Sequence, residues 1–309
     1  MAKWNCSEPY NTAYLEQTYQ GLEVAPCCVA VTQTYNSDYS LFDQPYLVDI
    51  RNKFDNNVIP SACEYCKKNE SLGFTSRRQA SGQHPIENTL KNLEIHVGNY
   101  CNLKCVICNN SWSSAWRKDA QAMGLKTYSN FKFDPQSIES KLSEVEWLHF
   151  NGGEPLFTDV HIQVLERIPY QEQCNVYYNT NGTIRVDDNV FKLWSKFKLV
   201  KLVFSIDDVG KRFNYQRTNA DWNEVESNMF WYRDVAPVNM MFGINRTVSK
   251  LNQPYLSELD QWFETSFATN RLGDPNEFSD QLAVGPCSLD SKIFDDYIQK
   301  LNQLRQVSI

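Results

Sequence analysis

Short apolar runs alternate with amphipathic helical patterns from Leu93 to the end of the chain. Short runs between polar turns predict strands, while apolar positions repeating every three or four residues predict helices. Strands that alternate with helices are joined by crossovers and lie parallel, so the pattern predicts an α/β fold. The predicted strands cover residues 93–97, 145–150, 175–180, 200–206, 240–248 and 281–284. The predicted helices cover residues 135–145, 157–168, 189–197, 221–232, 254–267 and 288–306.

Polar and apolar side chains also alternate within the predicted strands. Leu93, Ile95 and Val97 fall on one face of the first strand, and Glu94 and His96 fall on the other. A parallel strand that is buried on both faces should be apolar throughout. One face therefore packs against helices while the other lines a polar space, which favours a barrel with a ligand-filled lumen over a flat doubly wound sheet.

Composition limits the function classes. The 309 residues carry a formal net charge of -7 and so provide no broad basic surface, which disfavours nucleic-acid binding. The N-terminus lacks the apolar region of a signal peptide, and no apolar run of roughly 18 residues occurs, so we expect a cytoplasmic protein that does not span a membrane. Ten cysteines in a reducing compartment indicate metal ligation or redox chemistry rather than disulfides.

The segment GNYCNLKCVICNNS, at residues 98–111, follows the first predicted strand and contains Cys101, Cys105 and Cys108. Three thiolates in C-x3-C-x2-C spacing can hold three irons of a cubane iron–sulfur cluster and leave the fourth iron open to a substrate or cosubstrate. A zinc site completed by a remote ligand and buried core cysteines are the alternatives. Because barrel enzymes place their chemistry at the C-terminal ends of strands, we expect this loop at the barrel mouth.

Three more motifs follow the next predicted strands in order: NGGEP at 151–155, YNTNG at 178–182 and SIDDVGKRFNYQR at 205–217. Together with CNLKCVIC they resemble the radical S-adenosylmethionine (SAM) superfamily over almost the whole chain. The resemblance implies a partial (β/α)6 TIM-type barrel over residues 89–309. It also implies an enzyme whose [4Fe-4S] cluster reductively cleaves SAM to a 5′-deoxyadenosyl radical, which abstracts hydrogen from a substrate. An external electron donor such as flavodoxin or ferredoxin would supply the electron.

The family's functional residues carry over to matching positions in this sequence. The resemblance implies that Cys101, Cys105 and Cys108 ligate the catalytic cluster. It implies that SAM is bound by Gly152, Gly153 and Glu154 at its amino group, by Asn181 near the nucleoside, by Ser205 and Asp207 at the ribose or methionine part, and by Arg217 at its carboxylate.

Residues 1–88 resemble the N-terminal twitch domain, a shortened relative of the SPASM auxiliary-cluster domain, through GLEVAPCC and ACEYCKKNESLGFTSRR. A small cysteine-rich domain of this kind implies a second, auxiliary [4Fe-4S] cluster, with zinc or no metal as alternatives. Cys28 is an alternative to Cys27 as a ligand, and residues 76–90 are predicted to form a linker. The four thiols assigned to the auxiliary site are Cys6, Cys27, Cys63 and Cys66.

The substrate implied by this branch is a peptide or protein, with a small molecule as the alternative. A competing class is a non-catalytic iron–sulfur or zinc-binding interaction module that has kept the fold. Retention of NGGEP and Arg217 argues against that class, because a scaffold does not need a SAM site. Candidate substrate-positioning residues in the lumen, with ordinary packing as the alternative, are Glu94, His96, His149, Asn179 and Asn245.

Overall fold

A computed structural model describes residues 5–73, 75–81, 86, 89–267, 278–283 and 285–307. Its strands are β1 (Thr12–Thr18), β2 (Gly21–Ala25), β3 (Gln33–Thr34), β4 (Asn92–His96), β5 (Trp147–Asn151), β6 (Asn175–Thr180), β7 (Leu199–Ser205), β8 (Met240–Val248) and β9 (Phe278–Leu282). They form one sheet in the order β3-β2-β1-β4-β5-β6-β7-β8-β9. All neighbours from β1 to β9 in this order are parallel, whereas β2 is antiparallel to both β1 and β3.

Strands β4 to β9 match the six strands predicted from the sequence, with ends shifted by at most three residues. Residue 284, at the end of the last predicted strand, lies outside the described residues. Among the described strands the sheet stays open, with β3 at one edge and β9 at the other. The predicted α/β class and partial TIM-type barrel are therefore confirmed.

Helices fill the crossovers between the parallel strands. The α-helices are Glu8–Asn11, Pro45–Asp55, Glu64–Ser71, Arg77–Ser81, Arg117–Ala122, Val160–Leu165, Asp188–Trp194, Gly210–Gln216, Trp222–Val235, Leu256–Trp262 and Phe294–Arg305. Short 3-10 helices are Ser61–Cys63, Ser114–Trp116, Pro135–Glu144, Pro155–Phe157, Gln171–Gln173, Gln253–Tyr255 and Gly285–Cys287, and a π-helix covers Phe263–Phe267. Across the described parts of the chain, no helix combines the length and apolar character needed to cross a bilayer.

Two helix starts follow directly from the sequence. Asp134 accepts a hydrogen bond from the main-chain N–H of Gln136 at 3.0 Å, and Pro135 occupies the first helical position. Asp221 caps the helix Trp222–Val235 in the same way. A side-chain acceptor before the helix satisfies N–H groups that have no intrahelical partner, so these acidic residues fix where the helices begin.

The outer face of the sheet packs against the helices and forms the main core. Leu93, Ile95, Phe150 and Leu202 are fully buried on this face. Burying a side chain of this size contributes roughly 1.5–3 kcal/mol, so the face specifies the register of the strands. The opposite face carries Glu94 and the other alternating polar residues, and it is the lumen face.

The N-terminal region continues the same sheet, a connection that the sequence analysis missed. Strand β1 pairs in parallel with β4, with Tyr14 opposite Glu94 and Glu16 opposite His96. The linker predicted over residues 76–90 is wrong where the structure describes it, because Arg77–Ser81 form a helix. A boundary between domains at residue 88 stays a prediction.

Arg77 joins this N-terminal region to the lumen face. Its guanidinium pairs with Glu8 at 2.7 Å through Nε and with Glu94 at 2.5 Å through Nη2. The two carboxylate side chains are only 7% and 4% exposed. Burial raises the pKa of Glu94, but the Arg77 charge and a hydrogen bond from His149 outweigh it and hold that pKa well below its usual range. Both acids therefore depend on one cation.

Replacing that cation gives the first testable prediction. Arg77→Ala leaves two buried carboxylates without their cation, so we expect the free energy of unfolding to fall by about 3–5 kcal/mol in urea titrations. The matched control is Lys53→Ala, because Lys53 pairs with Asp49 in an exposed ion pair at 2.7 Å. That change should cost less than about 1 kcal/mol. Similar losses in the two variants would refute the role given to Arg77.

Candidate active site

The cysteine loop begins at the C-terminal end of β4 and is held by hydrogen bonds from two directions. The main-chain N–H of Val106 donates to the carbonyl of Gln216 at 2.7 Å, and that of Lys104 donates to Thr218 at 3.0 Å. From the following segment, the indole N–H of Trp116 donates to the carbonyl of Cys105 at 2.7 Å. The loop is therefore fixed against the segment that contains Arg217.

The three thiols of the loop lie in a poorly solvated environment. Burial raises the pKa of Cys101 and of Cys105, and raises that of Cys108 to about 12. Charge repulsion from Cys105 raises the pKa of the other two further. Thiols in this state do not ionise alone at neutral pH, whereas coordination to a metal deprotonates them.

The turn after β5 lies directly against the start of this loop. Gly152 and Gly153 have φ values of +81° and +50°, a region that favours glycine. A Cβ atom on Gly152 would overlap the ring of His96, and one on Gly153 would overlap the carbonyl oxygens of Tyr100 and Gly98. The two glycines therefore let the turn pack directly against His96 and the cysteine loop, as a main-chain cradle with no room for a side chain.

Glu154 links the ends of β5 and β6. Its carboxylate is 1% exposed and accepts hydrogen bonds from the Asn181 N–H at 2.6 Å, the Thr180 hydroxyl at 2.8 Å and the Leu156 N–H at 3.1 Å. Burial raises the pKa of Glu154 to about 7 in spite of these bonds. The Glu154 side chain thus fixes the loop that begins at Asn181.

Asn181 connects this loop to the cysteines. Its side-chain amide donates to Asn102 Oδ1 at 2.9 Å and lies 3.9 Å from the sulfur of Cys101. Asn102 also donates to the hydroxyl of Thr183 at 2.8 Å. Asn102 and Thr183 were not among the site residues predicted from the sequence, although Asn102 directly follows a candidate ligand.

Arg217 and Asp207 form a buried ion pair on the far side of the loop. The Arg217 guanidinium lies 2.8 Å from Asp207, and Asp207 also accepts from the main-chain N–H of Thr247 at 2.8 Å. Burial alone would lower the pKa of Arg217, but the charges of Asp207 and Cys105 outweigh burial and raise that pKa above its usual value. The Nε of Arg217 is buried and has no hydrogen-bond partner. Arg217 therefore retains one donor beside the cysteine loop.

Ser205 lies at the C-terminal end of β7, in register with Asn245 on β8. The residues assigned from the sequence to the cluster and to SAM thus lie together at one end of the sheet.

No group of three or more His, Cys, Asp or Glu side chains within the described residues is arranged to hold a single metal ion.

The four N-terminal cysteines assigned to the auxiliary site line one common opening. Burial raises the pKa of Cys6 to about 11 and that of Cys63 to about 12, and it also raises the pKa of Cys27 and Cys66. The opening is otherwise lined by Glu8, Pro9, Pro26, Val29, Ala30, Phe54, Ala62, Arg77 and Arg78.

Cys28 turns away from its neighbour Cys27. Its sulfur lies 3.9 Å from Arg77 Nη1, and its main-chain N–H donates to Glu94 at 3.2 Å. Cys28 therefore belongs to the Arg77–Glu94 contact, while Cys27 contributes to the cysteine-lined opening.

No protein-family model matches the chain. Among curated proteins, it is similar to the uncharacterized protein MJ0907 of Methanocaldococcus jannaschii, with 26% identity over 181 residues, covering 55% of this chain and 57% of that protein. The chain thus spans little more than half of this relative.

Among solved structures, the chain is similar to anSMEcpe with bound AdoMet. The TM-score is 0.49 and the sequence identity is 18%, and the match covers 69% of this chain and 57% of anSMEcpe. Another is Streptococcus suis SuiB bound to S-adenosylmethionine, with a TM-score of 0.45 and 15% identity over 95% of this chain and 70% of that one. A further structure of anSMEcpe contains AdoMet and the Cp18Cys peptide, with a TM-score of 0.46, 18% identity and coverage of 69% and 59%. These solved structures are of radical SAM enzymes, the superfamily that the sequence motifs resemble. The function of this chain is therefore inferred from the residues of its own site.

Proposed function

We propose that this protein is a radical SAM enzyme that removes a hydrogen atom from a peptide or protein substrate. The observation that carries the proposal is the meeting of four separate segments at one end of the parallel strands. The three-cysteine loop, the Gly152–Gly153 turn, Asn181 and Arg217 are joined there by hydrogen bonds or direct packing. In parallel sheets this end is where ligands bind and where chemistry takes place.

The residues at this site fit a cubane cluster with one open iron and a SAM molecule beside it. Cys101, Cys105 and Cys108 would hold the cluster, and no fourth thiol is needed. The glycine cradle holds the main chain of the turn directly beside the cysteine loop, and the unpartnered Nε of Arg217 is a donor suited to a carboxylate. When bound, the cluster and SAM together supply reductive cleavage of a carbon–sulfur bond and a radical that abstracts hydrogen.

The protein's own part is to bind, orient and exclude water. Asp207 holds the Arg217 guanidinium in place through their ion pair. Glu154 orients the Asn181 loop against Asn102, so that the amide of Asn181 stays next to Cys101. Because Asp207, Glu154 and Arg217 are all at least nine-tenths buried, charges in this site are little screened by solvent.

Anaerobic reconstitution with iron and sulfide, followed by SAM and dithionite, tests this function. We expect the wild-type protein to form 5′-deoxyadenosine from SAM. A protein that takes up iron and binds SAM yet forms no 5′-deoxyadenosine under strong reduction would contradict the enzyme assignment and favour a non-catalytic module.

We infer that the N-terminal opening binds a second [4Fe-4S] cluster through Cys6, Cys27, Cys63 and Cys66. Four thiols line this opening, which is one for each iron of a [4Fe-4S] cluster. A cluster with all four irons ligated by the protein has no open position for a substrate, so electron transfer is the role that suits it. Zinc is the alternative with the same ligand count, but these thiols would have to converge on one ion, and no such arrangement occurs among the described residues. A flavodoxin or ferredoxin as external electron donor belongs to this proposal.

The adjacent cysteines Cys27 and Cys28 provide a matched test of the auxiliary site. We expect Cys27→Ala to reduce bound iron from about eight to about four atoms per chain, because it removes one ligand of a four-thiol site. Cys28→Ala should keep about eight, since its sulfur faces Arg77. Iron and acid-labile sulfide analysis checks both variants. Loss of iron in Cys28→Ala alone would reverse the assignment, and zinc in place of iron in the wild type would identify the alternative.

A peptide or protein as substrate is supported by the polar lumen below the site, and a small molecule is the alternative. Glu94, His149 and Asn179 line this lumen and are linked to one another by hydrogen bonds. A cytoplasmic location fits this chemistry, because exposed iron–sulfur sites need a reducing compartment.

A further inference from the structure

A continuous row of hydrogen bonds crosses the lumen face from the N-terminal region to β6. Arg77 pairs with Glu94 on β4, Glu94 accepts from His149 Nδ1 on β5 at 3.1 Å, and His149 Nε2 lies 3.0 Å from Asn179 Nδ2 on β6. Glu94 is ionised and can only accept, so Nδ1 of His149 is the donor. The Asn179 amide nitrogen, which can only donate, lies against Nε2, so Nε2 of His149 is the acceptor of this contact.

This row decides which end of the Asn179 amide points into the lumen. Since its NH2 group is used by His149, the carbonyl oxygen Oδ1 is left facing away from the row. That oxygen is buried and has no hydrogen-bond partner. Asn179 therefore presents a fixed, unsatisfied acceptor.

His96 lies one lumen layer closer to the cysteine loop than Glu94 and His149, in the layer to which Asn179 belongs when the β5–β6 register is continued. It is completely buried, and neither of its ring nitrogens has a partner. The Trp112 indole packs against the His96 ring in a T-shaped arrangement with centroids 4.4 Å apart, and Gly152 lies against the same ring without a side chain. Burial lowers the pKa of His96 to about 3, so the ring is neutral at physiological pH. A neutral imidazole offers one donor and one acceptor.

Asn151 lies between these two residues on β5, in register with His96, and its Oδ1 is also buried and unpartnered. Neighbouring strands are roughly 4.8 Å apart, so the three side chains span roughly 10 Å of one lumen layer. An extended chain advances roughly 3.3–3.6 Å per residue, so a short peptide stretch covers that distance. Buried polar groups without partners are uncommon in folded proteins, and three in one layer point to a ligand that satisfies them.

We propose that His96, Asn151 and Asn179 form a substrate subsite for an uncharged amide, such as the main chain or a side-chain carboxamide of a peptide. An amide N–H suits the two asparagine oxygens, and an amide carbonyl or N–H suits the neutral imidazole. At the floor of the lumen Arg77 already pairs with Glu8 and Glu94, so it offers no counter-charge to an anion. Glu16 lies opposite His96, and burial raises the pKa of that carboxyl to about 7, which weakens its attraction for a cation. Glu94 and His149 act as positioning residues that fix the Asn179 amide. The proposal rests on the proposed function only in treating the lumen as the substrate chamber.

Three small probes of similar size test the ligand class on the reconstituted protein with SAM present. N-acetylglycinamide is neutral, N-acetylglycine carries a carboxylate, and glycinamide carries an ammonium group. In titration calorimetry we expect N-acetylglycinamide to bind at least about tenfold more tightly than the other two. His96→Ala and Asn179→Ala should each weaken its binding about fivefold, as the loss of one hydrogen bond implies. Calorimetry measures binding of the probe and does not require SAM cleavage. The probe can therefore fail to bind in a protein that cleaves SAM, and it can bind in a protein that does not cleave SAM.

His161→Gln is the matched control, because His161 is another buried histidine but bonds to Tyr178. We expect it to leave binding of N-acetylglycinamide unchanged. Equal or tighter binding of N-acetylglycine would overturn the subsite, and so would tighter binding of glycinamide, which Glu16 opposite His96 would attract. No measurable binding of N-acetylglycinamide, or the same weakening in the control, would also overturn it. If a variant fails to fold, the order of the three wild-type affinities still decides the proposal.

Discussion

A variant in which Cys101, Cys105 and Cys108 are all replaced by alanine is expected to lose SAM cleavage completely. The loss should be at least about 10³-fold, because the cofactor performs the difficult step and enzymatic acceleration is itself roughly 10⁶-fold or more. Bound iron should fall from about eight to about four atoms per chain, because the cysteine-lined N-terminal opening is a separate part of the fold. Product analysis for 5′-deoxyadenosine and iron analysis check both expectations.

Cys174→Ala is the matched control for this variant. Cys174 is fully buried at the start of β6, and its sulfur donates only to the neighbouring carbonyl of Asn175, so it has no role in either site. The control should keep its iron and its cleavage activity. Cleavage that survives the triple replacement would refute the ligand assignment, and loss of all iron would mean that the two sites are not independent.

Gly153→Ala is expected to be the most damaging change at the SAM cradle. A side chain there adopts left-handed backbone geometry and also overlaps the carbonyl oxygens of Tyr100 and Gly98. The combined strain should lower the free energy of unfolding by about 3 kcal/mol. SAM binding should be lost as well, because the added methyl group separates the turn from the cysteine loop. Urea titration and equilibrium dialysis with SAM measure the two effects.

Gly124→Ala separates the two sources of strain. Gly124 has a similar φ of +68°, but no atom lies within 4 Å of the position that its Cβ would take. We expect a loss of about 1 kcal/mol from backbone geometry alone and unchanged SAM binding. If Gly124→Ala and Gly153→Ala were equally harmful, close packing of the cradle against the cysteine loop would not be the reason for glycine.

The sequence predicted the parallel strands well because their signal is local. Residues 175–180 and 240–248 alternate or run apolar between clear turns, and the structure has both strands with the same ends. The cysteine loop was also predictable, because three ligands lie within one short segment. Such features need no knowledge of how distant parts of the chain meet.

The missed features all depend on distant contacts. Strand β1 is placed by pairing with β4, about 80 residues later in the sequence, so its own short pattern did not reveal it. Arg77 falls in a polar stretch that predicted a linker, yet two buried carboxylates hold it. Composition alone does not show which polar residues will find a buried partner.

The roles of individual SAM residues show the same limit. Glu154 was assigned to the amino group of SAM by the resemblance, and in the structure its carboxylate accepts three hydrogen bonds from Thr180, Asn181 and Leu156. Arg217 was assigned to the SAM carboxylate, and in the structure its guanidinium pairs with Asp207. Both assignments stay predictions, and the Nε of Arg217 is a buried donor without a hydrogen-bond partner.

Electron paramagnetic resonance (EPR) of the reduced protein shows directly whether the proposed catalytic cluster has an open iron. Cys27→Ala would remove the auxiliary cluster, so that the spectrum after dithionite reports on the cluster of Cys101, Cys105 and Cys108 alone. We expect SAM to change the g values of this signal, because SAM would bind an iron that no protein residue ligates. A spectrum that is identical with and without SAM, in protein shown by dialysis to bind SAM, would contradict it.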